Sequence, residues 1–306
     1  MSASLASTTS PRRDNTTAER LLQRLDWHVV RRLDGLLQGD HRTAFYGIGT
    51  DFADLREYQP GDDVRYIDWN VTARLDTPYV RQYMDDRELT AWLLLDRSLS
   101  MTFGHIDRPK ALVLTELVAT LARLLTRDGN RVGAVLYDNA VERVLEPRSG
   151  RNQVLRLARD LLRPPTNAGT ATDLSGLFRF GLNTVRRRSL IFVISDFISE
   201  PGWERPLGLL AQRHEVVAVR LWDPRETELP HAGIIVVEDA ETGEQLFVDT
   251  SDAAFRRRFH DAAAAREQQL RLAVTRAGVD LYELSTSDDL VLMLLRMITL
   301  RKRRQR

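Results

Sequence analysis

Short apolar runs alternate with segments of helical periodicity along the chain from Glu88 onward. The runs have the length and residue types of strands that are buried on both faces of a sheet. They lie at residues 92–95, 131–137, 190–195, 216–221 and 279–284. Because helical segments separate most of these runs, the pattern predicts an α/β fold with a doubly wound, mostly parallel sheet and helices on both faces.

Helical spacing and turn residues extend this prediction to the connections. Helices are expected at residues 110–126, 153–162, 174–185, 203–211, 254–277 and 288–301. Residues 141–145 follow the second apolar run so closely that the two should pair as a hairpin, which makes 141–145 the single antiparallel strand at one edge. Two segments around Gly243, at residues 234–238 and 245–248, predict an inserted hairpin.

The chain before position 88 has a different pattern, and we predict three parts for the whole molecule. Residues 1–17 are rich in Ser and Thr and are expected to form a disordered leader. Residues 18–87 should hold an amphipathic helix, from Thr17 to Gln38, and a β-rich addition. Residues 88–306 then form the α/β domain. The β-type positions of the addition are Val64, Tyr66, Ile67, Trp69, Tyr79, Val80 and Tyr83.

Composition excludes several classes of function. The 44 basic and 43 acidic residues nearly cancel, so no net field favours nucleic acid or an anionic membrane. Cysteine is absent, which excludes disulfides, Fe–S clusters and thiol catalysis. The apolar stretch 290–300 is too short to span a bilayer, and the leader lacks the apolar core of a signal peptide. We therefore expect a cytoplasmic protein whose basic end, residues 301–306, is a solvated terminus.

Oxygen-bearing side chains follow two of the predicted strands directly. Asp96, Ser98 and Ser100 come after the run 92–95, and Asp196 comes after the run 190–195. In open α/β sheets, ligands bind where the strands deliver their carboxyl ends. Carboxylates and hydroxyls without His or Cys suit a hard cation such as Mg²⁺ or Mn²⁺. The sequence therefore predicts a metal site, but it does not by itself indicate a reaction.

An Asp-x-Ser-x-Ser motif, a Thr in a second loop and an Asp in a third together resemble the metal-ion-dependent adhesion site of the von Willebrand factor A domain, whose sheet is Rossmann-like. The resemblance implies that Ser98 and Ser100 bind the cation directly. It implies that Asp96 and Asp196 hold the cation directly or through water.

The loop at residues 169–173 supplies the remaining ligand that this resemblance implies. Thr172 resembles the threonine that joins the metal when a partner binds. Thr170 lies in the same loop and is the competing choice. Neutral hydroxyl ligands would leave the cation able to accept an acidic side chain from a protein partner.

The flanking segments carry a second, more specific resemblance. Residues 52–65, 67–69 and 223–226 look like a bacterial family of A-domain proteins commonly encoded beside MoxR-type AAA+ ATPases. That family has no assigned activity. The resemblance implies a divalent-cation-dependent protein-binding module, acting as an adaptor or chaperone component with a MoxR-type ATPase.

Two alternatives stay open at the level of sequence. In the first, Ser98 and Ser100 only cap the following turn and Asp196 caps a strand end, without a metal. In the second, Asp96 is the nucleophile of a metal-dependent phosphohydrolase. Phosphatases of similar topology have an Asp-x-Asp pattern, however, and this chain has Ser98 at the second Asp position. No nucleophile-elbow or phosphate-loop motif is present, so we expect no catalytic residues.

The Asp pair in residues 60–63 has the letters of a polymerase metal triplet, but its Pro-Gly context predicts a turn.

Overall fold

A computed structural model describes most of the chain. The described residues are 11–25, 29, 31–33, 55–59, 64, 67–75, 77–81, 89–105, 107–127, 129–165, 172–238 and 245–304. Helices in these ranges are α1 (Pro11–Leu25), α2 (Trp69–Leu75), α3 (Lys110–Arg127), α4 (Arg151–Leu161), α5 (Leu174–Thr184), α6 (Glu204–Arg213), α7 (Ala253–Arg276) and α8 (Leu290–Arg304). Short 3₁₀ turns lie at Leu99–Thr102 and Pro224–Glu226.

The strands form one large sheet and three small two-stranded pairs. They are β1 (Leu55–Glu57), β2 (Tyr79–Arg81), β3 (Thr90–Asp96), β4 (Gly104–His105), β5 (Arg108–Pro109), β6 (Arg131–Asp138), β7 (Ala140–Arg148), β8 (Leu190–Ser195), β9 (Glu215–Trp222), β10 (Ile234–Glu238), β11 (Gln245–Asp249) and β12 (Asp280–Ser285). The large sheet has the order β12-β9-β8-β3-β6-β7. All its neighbours are parallel except β7, which runs antiparallel to β6 at the edge.

This topology confirms the predicted fold class. The apolar runs became the strands of a mostly parallel sheet, and the hairpin expected at residues 141–145 is the antiparallel edge strand β7. The inserted hairpin expected around Gly243 is the β10–β11 pair. The short pair β4–β5 and the 3₁₀ turn after β3 were not predicted, because segments this short carry no periodic signal.

Alternation along β3 shows why the sheet needs helices on both faces. Ala91, Leu93 and Leu95 belong to the core shared with α1, α3, α4 and α8. Trp92 and Leu94 belong to a separate core shared with α5, α6 and α7. A strand whose two faces are both apolar is stable only when each face is covered, so the helices divide between the two sides.

The order of the strands creates a crevice beside β3. From β3 the chain crosses to β6 on one side, and it later returns to β8 on the other side. The helix that follows β3 and the helix that follows β8 lie on opposite faces of the sheet. Loops that diverge in this way leave an opening at the carboxyl ends of the two strands, the usual place for a ligand in an open α/β sheet.

The N-terminal helix is docked on the α/β domain. It begins at Pro11 rather than at Thr17, and residues 1–10 and 34–38 lie outside the described part of the chain. Leu21, Leu22 and Leu25 are buried in the core that contains α3 and α4. On the polar side, Arg24 donates to Glu116 of α3 over 2.7 Å.

The predicted β-rich addition is only partly made of strands. Strand β2 contains the predicted positions Tyr79 and Val80, and Ile67 forms a bridge with Val80, as predicted. The partner of β2 is β1, which lies at residues that the β-type pattern did not include. The prediction for Trp69 is wrong, because Trp69 begins helix α2. Asp68 explains the difference, since its carboxylate accepts the backbone N–H of Val71 over 3.2 Å and so caps the helix. Tyr66, Tyr83 and residues 60–63 lie outside the described residues.

Within the described ranges, no helix combines the length and the apolar character that crossing a bilayer requires. The late apolar stretch belongs to α8, which packs Leu294, Met297 and Ile298 into the core, as predicted.

Replacing Leu22 by Ala should destabilise the protein, because this side chain is only 4% exposed where α1 docks. We expect a loss of about 2–4 kcal/mol in the free energy of unfolding, measured by denaturant titration. Gln23→Ala on the exposed side of the same helix is the matched control and should cost less than about 0.5 kcal/mol. Equal effects of the two substitutions would contradict the docking of α1.

Candidate metal centre

The candidate ligands lie at the carboxyl ends of two adjacent central strands. In the parallel pairing of β3 with β8, Leu95 is the register partner of Ile194. Asp96, the last residue of β3, therefore lies beside Ser195, and Asp196 follows directly after β8. The predicted convergence of the Asp96 and Asp196 loops is thus a consequence of strand order and register.

Asp96 is completely buried and is hydrogen-bonded through both carboxylate oxygens. Oδ1 accepts the backbone N–H of Ser98 over 2.9 Å, and Oδ2 accepts the hydroxyl of Ser195 over 2.6 Å. Ser195 was not among the predicted site residues. Its position immediately before Asp196 was the available signal, and its contact with Asp96 makes it a positioning residue that links the two strand ends.

Ser98 and Ser100 present their hydroxyls side by side. The two Oγ atoms are 3.0 Å apart, and Ser100 is held in the 3₁₀ turn Leu99–Thr102. Two ligands at right angles on Mg²⁺, each about 2.1 Å from the ion, are about 3 Å apart. The spacing of these hydroxyls therefore fits two adjacent positions of an octahedral shell, and it also fits a direct hydrogen bond between them.

Asp196 is held by one backbone group and one charged side chain. Its Oδ1 accepts the N–H of Ile198 over 3.0 Å, and its Oδ2 accepts a hydrogen bond from Lys110 Nζ over 2.7 Å. The next residue, Phe197, has a φ of +59°, a left-handed conformation that is unusual for a bulky side chain. Packing of its ring against Trp203, with centroids 5.5 Å apart, helps to hold this strained residue in place.

The loop of Thr172 is tied to the loop that follows Asp196. The carbonyl of Thr172 accepts the N–H of Glu200 over 2.9 Å and the hydroxyl of Ser199 over 3.0 Å. The Thr172 side chain is buried. Thr170 lies outside the described residues, so the choice between Thr170 and Thr172 stays a prediction.

The β6–β7 turn supports the Thr172 loop from the other side. The hydroxyl of Tyr137 donates to the carbonyl of Asp173 over 2.8 Å, and Asn139 Oδ1 accepts the N–H of Asp173 over 3.3 Å. Gly176, in the first turn of α5, leaves the room that this contact needs. A Cβ atom at Gly176 would lie 2.2 Å from the hydroxyl oxygen of Tyr137.

Electrostatics show that ionising both carboxylates of this group is unfavourable. Burial, together with the charge of Asp196, raises the pKa of Asp96 to about 7, even though the hydrogen bonds from Ser195 and Ser98 oppose the shift. A cation between the two carboxylates would stabilise the ionised form of Asp96. The described residues contain no cluster of three or more His, Cys, Asp or Glu side chains, so a metal here would depend on hydroxyl ligands as well. Two carboxylates with two or three hydroxyls are a donor set that fits Mg²⁺ or Mn²⁺.

Lys110 is a charged residue beside the candidate ligands, and the sequence pattern did not indicate it as a site residue. It is the first residue of α3, and its side chain is fully buried. Besides Asp196, its ammonium donates to the carboxylate of Glu226. Only Lys110 and Lys302 are lysines in a chain with 44 basic residues, and this rarity was the available signal.

The candidate ligands are all buried. Asp96, Ser98, Ser100, Thr172 and Asp196 are each less than 10% exposed. Asp196 borders a cleft of about 410 Å³ that Phe197 and Glu226 also line. Ser98 borders a separate cavity of about 280 Å³. A partner group that is to reach a metal here must therefore protrude into the crevice.

Comparison with known proteins places the chain among proteins without an assigned function. A family model described as "Protein of unknown function DUF58" matches residues 54–269. The "Uncharacterized protein Rv1480" of Mycobacterium tuberculosis is 37% identical over 283 residues, which are 92% of this chain and 89% of that protein. The "Uncharacterized protein MAV169" of Mycobacterium avium is 36% identical over 157 residues, 51% of this chain and 92% of that protein.

Solved structures resemble the chain only distantly. The conserved hypothetical protein BatB from Bacteroides thetaiotaomicron aligns with a TM-score of 0.45 and 13% identity, over 70% of this chain and 99% of that one. A von Willebrand factor type A protein from Catenulispora acidiphila aligns with a TM-score of 0.35 and 12% identity, over 74% of this chain and 43% of that one. The assignment of an α/β fold rests on the sheet of this chain itself.

Gly176→Ala should disturb the loop of Thr172, because the added methyl group would collide with the hydroxyl of Tyr137. We expect a loss of about 1–3 kcal/mol in the free energy of unfolding. Gly208→Ala is the matched control in α6, where the nearest atom to a Cβ is 3.9 Å away. Tyr137→Phe removes the colliding oxygen and should reduce the cost of Gly176→Ala. The same cost with and without the hydroxyl would contradict this explanation.

Asp96 should make the protein less stable as pH rises, when EDTA keeps it metal-free. The unfolded chain releases this proton near the ordinary pKa of 3.8, whereas the folded protein keeps it until about pH 7. The unfolded state is therefore favoured progressively between about pH 4 and pH 7, and the effect levels off above that range. Denaturant titrations across this range should show the fall in wild type and a flatter profile in Asp96→Asn. Parallel profiles would contradict the assignment to Asp96.

Proposed function

Because the chain belongs to the DUF58 family, whose description assigns no function, we propose from its geometry that the protein is a divalent-cation-dependent protein-binding module. The observation that carries this proposal lies at the carboxyl ends of β3 and β8. Two buried carboxylates, Asp96 and Asp196, adjoin two hydroxyls that are 3.0 Å apart. This is a compact set of hard oxygen ligands at the crevice of an open α/β sheet.

The residues of this set have distinct roles in the proposal. The hydroxyls of Ser98 and Ser100 bind Mg²⁺ or Mn²⁺, and Asp96 and Asp196 balance its charge. Thr172 adds a third hydroxyl when a partner is bound. When bound, the cation supplies an electrophilic centre that accepts an oxygen ligand from outside the chain.

The partner that best fits such a centre offers a carboxylate. The hydroxyl ligands are neutral, so they leave part of the cation's charge uncompensated, and Asp or Glu is the strongest oxygen donor available on a protein surface. Because the candidate ligands are buried, this carboxylate must protrude from the partner. This feature supports recognition of a specific acidic loop or terminus over binding to a broad acidic surface.

We further propose that the partner is a MoxR-type AAA+ ATPase or a client of that ATPase. The support is the resemblance of residues 52–65, 67–69 and 223–226 to proteins that are commonly encoded beside such ATPases. In this role the protein is an adaptor or chaperone component and not an enzyme. An ATP-consuming partner makes the cytoplasm the expected location of the interaction.

Binding to a MoxR-type AAA+ ATPase of the same organism should require both the metal and the ligands of the candidate centre. We expect EDTA, Asp96→Ala or Thr172→Ala to weaken the affinity by about one to four orders of magnitude. The reason is that losing one side of a buried charged contact costs roughly 2–5 kcal/mol, at about 1.4 kcal/mol per decade. The measurement is a binding isotherm with Mg²⁺, with EDTA and with each variant.

The control is the double variant Ser251→Ala, Asp261→Ala, which removes one hydroxyl and one carboxylate from exposed positions of the chain. Its affinity should match that of wild type. Unchanged affinity in EDTA and in both centre variants would overturn the metal-bridged model. Turnover of a phosphate ester that Asp96→Asn abolishes would instead establish a phosphohydrolase.

A further inference from the structure

A buried lysine contacts one of the candidate ligands, Asp196. The side chain of Lys110 has no exposed surface, although the ammonium is strongly hydrated in water. Its Nζ donates to Asp196 Oδ2 over 2.7 Å and to Glu226 Oε1. A buried ammonium is tolerated only when carboxylates compensate its charge, so these two contacts hold Lys110 in its position.

Glu226 is fixed in place by the turn that carries it. Asp223 accepts the N–H of Arg225 over 3.0 Å, and the Glu226 side chain accepts the N–H of Asp223, which completes a capping box around the Pro224–Glu226 turn. Asp223 is in turn bound by the hydroxyl of Thr286, over 2.6 Å, at the end of β12. Residues 223–226, which carry part of the family resemblance, therefore form a rigid support for Lys110.

These contacts put a fixed positive charge against a proposed metal ligand. Asp196 uses one oxygen for Ile198 and the other for Lys110. A divalent cation that binds Asp196 must therefore approach a carboxylate that already carries an ammonium at hydrogen-bond distance. Like charges a few ångströms apart in a partly buried site repel strongly, and water screens them poorly there.

We infer that Lys110 is a built-in cation of the centre, which holds Asp196 when no metal is bound and weakens the binding of a divalent cation. Glu226 opposes this effect, because its carboxylate neutralises the ammonium. The pair formed by Lys110 and Glu226 thus sets the metal affinity of the centre. This inference rests on the proposed metal site and deepens it, since low intrinsic affinity makes occupancy depend on the partner's carboxylate.

Two single substitutions should change the metal affinity in opposite directions. Lys110→Met keeps most of the side-chain volume and removes the charge, so Mg²⁺ or Mn²⁺ should bind about tenfold tighter or more. Glu226→Gln keeps the side-chain shape and leaves the ammonium less compensated, so the cation should bind about tenfold more weakly or not at all. Damage to the fold would weaken binding in both variants, which makes the opposite signs diagnostic.

The experiment is a calorimetric titration of the full chain with MnCl₂ and with MgCl₂, together with melting curves in EDTA and in saturating metal. The controls are Arg151→Met and Glu146→Gln, which make the same charge changes at exposed positions near the opposite end of the sheet, where Arg148 pairs with Val132. Lys110→Met should melt at a lower temperature than wild type in EDTA, and added metal should raise its melting temperature by more than it does for wild type.

The outcomes separate this inference from the proposed function. If wild type binds the cation and Lys110→Met binds it equally or more weakly, the inference is overturned and the metal site stands. If Lys110→Met does not fold, tighter or equal binding by Glu226→Gln overturns the inference. Weaker binding supports it where Glu226→Gln melts in EDTA at the wild-type temperature, because the fold is then intact. If neither wild type nor either variant binds either metal, the metal site and this inference both fail.

Discussion

The burial of two carboxylates at neighbouring strand ends is the constraint on which the candidate centre depends. Asp96 and Asp196 lie where β3 and β8 end side by side, and the charge of Asp196 adds to the burial that raises the pKa of Asp96. Hydrogen bonds from Ser98 and Ser195 offset only part of this cost. The chain keeps such a pair because nearby donors and a positive charge compensate it, and these compensating groups define the centre.

The sheet supplies rigidity, and the loops supply the chemistry. Strands buried on both faces fix the directions of the two carboxylates, because each strand packs against helices on both sides. The loops are then held by specific contacts: Phe197 in a left-handed conformation, and Gly176 under the hydroxyl of Tyr137. Backbone strain such as that at Phe197 persists only where the surrounding structure determines it, and it concentrates at functional sites.

The arrangement of charges around Asp196 bears on how firmly the proposed metal would be held. Asp196 is shared between the proposed metal and Lys110, and Glu226 controls how much of the ammonium's charge reaches the centre. In the proposed module, the cation would bind firmly only when a partner contributes a further carboxylate. Such linkage makes metal binding and partner binding mutually dependent, since each ligand raises the affinity for the other by the same factor.

The sequence alone determined the fold class and the loops that carry the centre. Short uninterrupted apolar runs such as 92–95, with helical segments between them, favour strands covered on both faces. The polar residue after such a run then marks the carboxyl edge of a parallel sheet. Local pattern was misleading at Trp69, where the aromatic side chain favours a strand but the capping carboxylate of Asp68 begins a helix. A propensity is outweighed when a neighbouring residue satisfies the backbone donors of another conformation.

The tertiary structure alone decided which charges meet. Asp196 lies 86 positions after Lys110 along the chain, and Glu226 lies 116 positions after it. No local sequence pattern connects the three residues. Their contact depends on strand order, which places the ends of β8 and β9 beside the start of α3. The hydroxyl of Ser195 likewise finds Asp96 only through the register of β3 with β8. The sequence specifies which residues stand at strand ends, whereas their contact partners follow from long-range packing.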